Sequence, residues 1–180
     1  MPQIFEVKTA AHCADVATLI REFVDWLRAR FGDDQSGIDA YFDPDAFKAE
    51  LAALPGAYGW PDGCLLLAQW NRQPAGCIAY RKIGKDVCEM KRLYVRPEFH
   101  GKGIGRFLVE TLIGEARRHG YAVMRLDTSY LQIEAQDLYR SLGFREIEAY
   151  YDMPAAMKNI LMFFELDLRE DERGPTDLAA

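Results

Sequence analysis

The chain has 180 residues, of which 49% are hydrophobic and 28% charged, and a formal net charge of −6. That length supports one domain with its own core, the composition is that of a folded globular chain, and the acidic balance excludes general nucleic-acid affinity. No apolar run approaches the ~20 residues of a membrane span, and MPQIFEVKTA lacks the flank of a secretory signal, so a cytoplasmic location is expected.

Residues 4–7 alternate weakly and read as a short first strand. Over 11–30, Val16, Leu19, Ile20, Phe23, Val24 and Leu27 recur at three- and four-residue steps, which predicts an amphipathic helix stopped by Gly32. The stretch GDDQSGIDAYFDP (32–44) is acidic and turn-rich and reads as a loop. A second helix is expected over 45–54, between Pro44 and Pro55-Gly56. From Cys64 three strand-length runs follow, CLLLAQW, GCIAYRKI and VCEMKRLYV, separated by the turns NRQPAG and GKD. Such spacing predicts an antiparallel meander.

After the third run comes HGKGIGR, then a helix with Ile104, Phe107, Leu108, Leu112 and Ala116 on one face. It closes with Arg117, Arg118, His119 and Gly120, cations at the negative helix end. YAVMRLDT (121–128) is reached through that helix, so it is expected to lie parallel to 87–95. A fourth helix is expected over 132–142, and strands over 144–151 and 159–168 with a loop between them. The charged end, 169–180, reads as a tail following a single domain over 1–168.

Cys13, Cys64, Cys77 and Cys88 form no Cys-x-x-Cys pair, and the last three, in apolar surroundings, read as small core residues. His12, His100 and His119 are scattered, so no metal site is expected. The glycine segment fits neither nucleotide fingerprint. A dinucleotide motif needs glycines at offsets 0, 2 and 5; from Gly101 the third position is Arg106, and from Gly103 it is Leu108. A P-loop needs a glycine five residues before its Gly-Lys and Ser or Thr after it; those positions hold Arg96 and Gly103. Two readings stay open. Either the glycines make a passive turn, or they bare the helix N-terminus so that a pyrophosphate reaches its amides, with Lys102 and Arg106 adding charge.

The run His100-Gly101-Lys102-Gly103-Ile104-Gly105, preceded by LYVRPEF, resembles the signature of the GNAT superfamily of acyl-CoA-dependent N-acetyltransferases. That signature is Arg or Gln, two residues, Gly, one residue, then Gly or Ala; His100 stands where Arg or Gln is usual. AQDLYRSLGFREI (135–147) is similar to the family's second hallmark, Ala-x-x-Leu-Tyr-x-x-x-Gly-Phe. The resemblance implies an α/β (α+β) fold. Its mixed, mostly antiparallel sheet of about seven strands would carry a parallel, splayed central pair and about four flanking helices. It implies acetyl-CoA as cosubstrate. The pantetheine arm would lie along Leu93, Tyr94 and Val95, and the phosphates on His100, Gly101, Lys102, Gly103, Ile104, Gly105 and Arg106. Gln132 falls where the family often carries an Asn that contacts pantetheine.

The implied chemistry is direct attack of a neutral primary amine on the thioester. Tyr139 is the candidate acid for the departing thiolate, since a phenol and an alkyl thiol have comparable basicity. Glu89, on one strand face with Lys91, Leu93 and Val95, is the candidate base or a salt-bridge partner of Lys91 or Arg92. Asp127 is the reserve. Tyr150, Tyr151 and Asp152 are expected near the acceptor. A small-molecule amine is the expected acceptor, and the acidic stretch 33–45 points to a cationic one. A protein N-terminus or lysine, or a non-catalytic acyl-CoA sensor, are the alternatives. A homodimer is left open.

Overall fold

CLLLAQW is apolar at its first five positions, as a strand covered on both faces must be. Its residues alternate between two cores. Leu65 and Leu67 pack with Val16, Leu19, Ile20 and Phe23, while Leu66 and Ala68 pack with Ile104, Leu108 and Leu112. The layer between is a seven-stranded sheet in a computed structural model that describes residues 1–33 and 35–169. Its strands are β1 (Gln3–Glu6), β2 (Cys64–Trp70), β3 (Gln73–Lys82), β4 (Val87–Val95), β5 (Val123–Ser129), β6 (Arg145–Ile147) and β7 (Leu161–Asp167). Their order is β1-β2-β3-β4-β5-β7-β6, and β4–β5 is the parallel pair. The expected mixed sheet is the observed one.

Helix α1 (Ala10–Phe31) covers one face, its start fixed by the Thr9 hydroxyl, which accepts from the His12 amide at 3.2 Å. On the same side lie α2 (Ser36–Tyr41) and α3 (Pro44–Ala53); α4 (Ile104–Arg118) and α5 (Ile133–Ser141) pack on the other face. With α6 (Ala155–Lys158) the described residues form six α-helices, not four. The two unforeseen helices are four and six residues long, too short to show a periodicity. They exist through tertiary contact. Ile38 and Met157 are buried, and a Cβ on Gly37 would collide with the Ile160 side chain. Residues 170–180, most of the expected tail, lie outside the described residues.

Two other boundaries differ from expectation. NRQPAG is a two-residue turn: Asn71 and Arg72 take φ of 50° and 65°, and β3 already begins at Gln73. Pro74 is tolerated because the register slips opposite it, between Ala68 and Gln69. The strand expected over 144–151 keeps only the three residues of β6, beyond which residues 148–154 leave the ladder.

The parallel pair positions the site. Its ladder holds Val87↔Val123, Cys88↔Met124 and Glu89↔Arg125. Beyond that point β4 stays with β3 as far as Val95↔Gly76, and β5 stays with β7 as far as Ser129↔Leu161. The two strands therefore part company while each remains anchored on its outer side. Arg92, at φ 60°, accompanies a register shift opposite Cys77–Ala79 that breaks the regular edge of β4.

Candidate active site

A groove of about 770 Å³ runs along the open end of β4 to the glycine turn. Nine of the residues singled out for the cofactor line it: Leu93, Tyr94, Val95, His100, Gly101, Gly103, Ile104, Gly105 and Gln132. Gly101 and Gly103 take φ of +74° and +75°, and a Cβ on either would meet nothing within 4 Å. The positive φ favours glycine at both positions, and the space above them is clear. Gly103 is the N-cap of α4 and no side chain caps that helix, so its first-turn amides point outward. Lys102 and Arg106 stand off the groove wall. Lys102 Nζ donates to the Glu98 carbonyl at 3.3 Å, and Arg106 donates to Glu110 at 3.3 Å and to Ser141 Oγ at 2.6 Å. His100 Nε2 donates to the Val95 carbonyl at 2.8 Å, which ties the turn to the strand end.

Deeper in the split lies an enclosed space of about 70 Å³, bordered by Lys91, Leu93, Asp127, Thr128, Gln132 and Tyr139 among others. Gln132 borders both spaces; its Oε1 accepts from Thr128 Oγ1 at 3.2 Å and from the Ser129 amide at 3.1 Å. Tyr139 is 5% exposed, held by Phe144 and Phe164. Among the described residues its hydroxyl has no hydrogen-bond partner. Burial, and then the charge of Asp127, push the phenol above its ordinary range, so it keeps its proton.

Asp127 is the hub on β5. Lys91 Nζ donates to it at 2.6 Å, Tyr41 at 2.7 Å and Tyr151 at 2.8 Å. Lys91 also donates to the Tyr41 oxygen at 2.7 Å. Burial alone would raise the Asp127 carboxyl, but the Lys91 charge and the three donors bring it below the usual carboxylate range. Two residues back, a charged row crosses the sheet. Arg81, Glu89, Arg125 and Glu165 are successive register partners on β3, β4, β5 and β7. Arg81 Nε meets Glu89 at 2.8 Å and Arg125 Nε meets Glu165 at 2.8 Å. Glu89 is 1% exposed and also takes hydrogen bonds or ion pairs from Tyr150 at 2.7 Å and Lys91 at 3.2 Å.

Above that row opens a second cavity of about 540 Å³, which meets the enclosed space at Tyr41, Lys91, Arg92 and Met157. Tyr150 and Tyr151 line it and Asp152 does not. The acidic stretch contributes Ala40 and Tyr41 to it but none of its described carboxylates. Asp39 pairs with Arg28 at 2.8 Å, and Asp43 caps α3 by accepting from the Ala46 amide at 2.9 Å. The cationic acceptor expected from that stretch thus has no carboxylate of 33–45 waiting for it among the described lining residues.

Tyr41, Lys91, Arg81 and Arg125 were not singled out by sequence. The available signal was charge inside apolar strands, in CEMKR and MRLDT, at steps of two. Tyr41 gave none, because it comes from a stretch read as loop. Among the described residues no cluster of His, Cys, Asp or Glu could hold a metal, and no helix is long and apolar enough to cross a membrane.

Known proteins resemble this chain in sequence and fold. An N-acetyltransferase of Schizosaccharomyces pombe, of uncharacterized role, is 43% identical over 153 residues, covering 84% of this chain and 87% of that protein. The N-acetylaspartate synthetase of Danio rerio is 30% identical over 146 residues; the match covers 78% of this chain and 51% of that protein, about half its length. PaiA N-acetyltransferase of Thermoplasma acidophilum, solved with coenzyme A, superposes with a TM-score of 0.68 at 19% identity, covering 93% of this chain and 99% of that one. The model of the acetyltransferase (GNAT) family matches residues 20–144, which hold the split strands, the glycine turn and Tyr139. The chain that builds this groove belongs to the acetyltransferase (GNAT) family.

Proposed function

We propose that this acyl-CoA-dependent N-acetyltransferase acetylates a small-molecule primary amine, which enters through the 540 Å³ cavity while acetyl-CoA occupies the β4 groove. One observation carries the reading: the groove and the cavity meet around an enclosed space bordered by the unpartnered phenol of Tyr139 and by Lys91. The cavity volume lies within the range of small-molecule sites. The relatives named N-acetylaspartate synthetase support a small acceptor, and the structural neighbour solved with coenzyme A supports the cosubstrate.

In this reading the backbone of Leu93, Tyr94 and Val95 pairs with the pantetheine arm. The α4 amides, from Gly101 to Arg106, receive the phosphates, with His100 bracing the turn and Lys102 and Arg106 adding positive charge nearby. Gln132 braces the mouth of the split. The amine nitrogen attacks the thioester carbonyl carbon, the carbon–sulfur bond breaks, and Tyr139 gives its proton to the departing sulfur. Glu89 receives the proton lost by the amine through Tyr150, whose hydroxyl already donates to it at 2.7 Å. Asp127, held by Lys91, Tyr41 and Tyr151, is the reserve base.

The test is a screen of amines, amino acids and peptides for thiol release from acetyl-CoA, paired with thermal melts. A ligand at ~100 times its Kd adds ~2.7 kcal/mol to the native state, so CoA should raise Tm and NAD should not. Stabilisation by NAD with none by CoA overturns the cofactor assignment; transfer to peptides alone overturns the small acceptor.

A further inference from the structure

Resting on that reading of the cavity, we infer that the acceptor carries a carboxylate beside its amine, held by Arg81 and Arg125. The wall has four cations, Arg81, Lys91, Arg92 and Arg125, against two carboxylates, Glu50 and Glu89. Most of its donors are already committed. Arg92 grips Glu50 through Nε at 2.8 Å and Nη2 at 2.6 Å, and Lys91 is buried against Asp127 and Glu89. The phenols of Tyr58, Tyr150 and Tyr151 donate to Glu50, Glu89 and Asp127.

Arg81 and Arg125 differ. Their side chains are 44% and 33% exposed, and each engages its strand partner along one edge only: Arg81 by Nε and Nη2 to a single oxygen of Glu89, Arg125 by Nε to Glu165. A guanidinium has five N–H groups, so each keeps donors turned away from its partner. Arg125 also lies over the Tyr150 ring at 5.4 Å, which fixes its plane. Of the row's two anions, Glu89 is buried and Glu165 does not line the cavity, whereas Arg81 and Arg125 are both exposed there, so an entering molecule meets positive charge first. Guanidinium matches a carboxylate in a planar two-bond geometry.

The row also sets the distance. Glu89 and Arg125 precede Lys91 and Asp127 by two residues on their strands, which is ~6.6 Å. A carboxylate on the row therefore stands one short aliphatic spacer from an amine at the Lys91–Asp127 end, the proportions of a free amino acid.

The experiment compares acceptors that differ only in one carboxylate: aspartate with asparagine, glutamate with glutamine, and alanine with alaninamide. The wild type is expected to favour at least one acid over its carboxamide by about 10- to 100-fold in kcat/KM, the worth of a hydrogen bond to a charged group. In Arg125→Gln and Arg81→Gln the acid-to-carboxamide ratio should fall toward one. That ratio is internal to each preparation, so partial unfolding cancels. A second arm needs no turnover: with CoA present, N-acetylaspartate or N-acetylglutamate should raise Tm more than the matching carboxamide, and Arg125→Gln should remove the difference. Equal rates and equal melts for acid and carboxamide, or a ratio unmoved in both variants, overturn the inference and leave acetyl transfer standing. Absence of thiol release with every amine, with the melting preference intact, would instead overturn the catalytic reading and leave this one standing.

Discussion

Lys91 Nζ and Asp127 Oδ2 stand 2.6 Å apart across the first gap of the β4–β5 split, two residues beyond the last ladder pair, Glu89↔Arg125. Where backbone pairing stops, a buried ion pair spans the two strands instead. The same two residues join the enclosed space to the charged row, so the bond that bridges the wedge also furnishes it.

Removing one partner of a buried pair leaves the other charge uncompensated, at about 3–5 kcal/mol. Lys91→Met should therefore destabilise the fold by that order in urea titrations. Lys82→Met, which breaks the exposed Lys82–Asp62 contact at 2.9 Å, should cost less than about 1 kcal/mol. Equal losses for the two variants would show that the strand-bridging pair contributes no more than a surface contact.

Acid should act on the two proteins differently. In the wild type Asp127 titrates below its unfolded value of ~3.9. Its contribution is therefore present above that pH and lost as pH falls through the depressed folded value. In Lys91→Met the burial penalty is unopposed by the lysine, so protonating Asp127 relieves it. The stability gap between the two proteins should narrow as pH falls, first above ~4, where the unopposed carboxyl of Lys91→Met takes up its proton, and then below ~4, where the wild type loses its contribution. Denaturant midpoints measured from pH 7 down to pH 3 would show this, and a gap constant over that span would rule it out.

Gly103→Val isolates the glycine turn. The native φ of +75° strains any branched residue by ~1–2 kcal/mol or more, yet its Cβ meets no protein atom within 4 Å. The fold should persist by circular dichroism while CoA affinity falls at least about tenfold, because the added methyl groups occupy space above the α4 amides. Unchanged CoA affinity in a folded variant would make the turn passive.

Tyr139→Phe removes one hydroxyl that has no hydrogen-bond partner among the described residues, so stability should change by less than about 0.5 kcal/mol. If that hydroxyl protonates the departing sulfur, kcat falls on the order of 10²-fold with CoA affinity nearly intact. Steady-state kinetics beside a direct CoA titration separate the two effects. A wild-type kcat, or a deficit confined to CoA binding, removes Tyr139 from proton transfer.

The sequence by itself determined the elements whose signal is local. The 3.6-residue period of α1 and α4, the three-run meander and HGKGIGR are each written within one short contiguous stretch, and all appear in the expected order. Helices α2 and α6 are not so written, because their reason to exist is mutual packing around Gly37, Ile160 and Met157. The charged row is likewise a matter of register. Arg81, Glu89, Arg125 and Glu165 come from four strands and meet only when the sheet fixes which residue faces which. Only the tertiary structure decided that Glu89 lies buried between two arginine-bearing strands while Asp39 serves a surface pair and Asp43 a helix cap. A carboxylate's neighbours depend on pairing between distant segments, and a single chain's local pattern holds no record of that pairing.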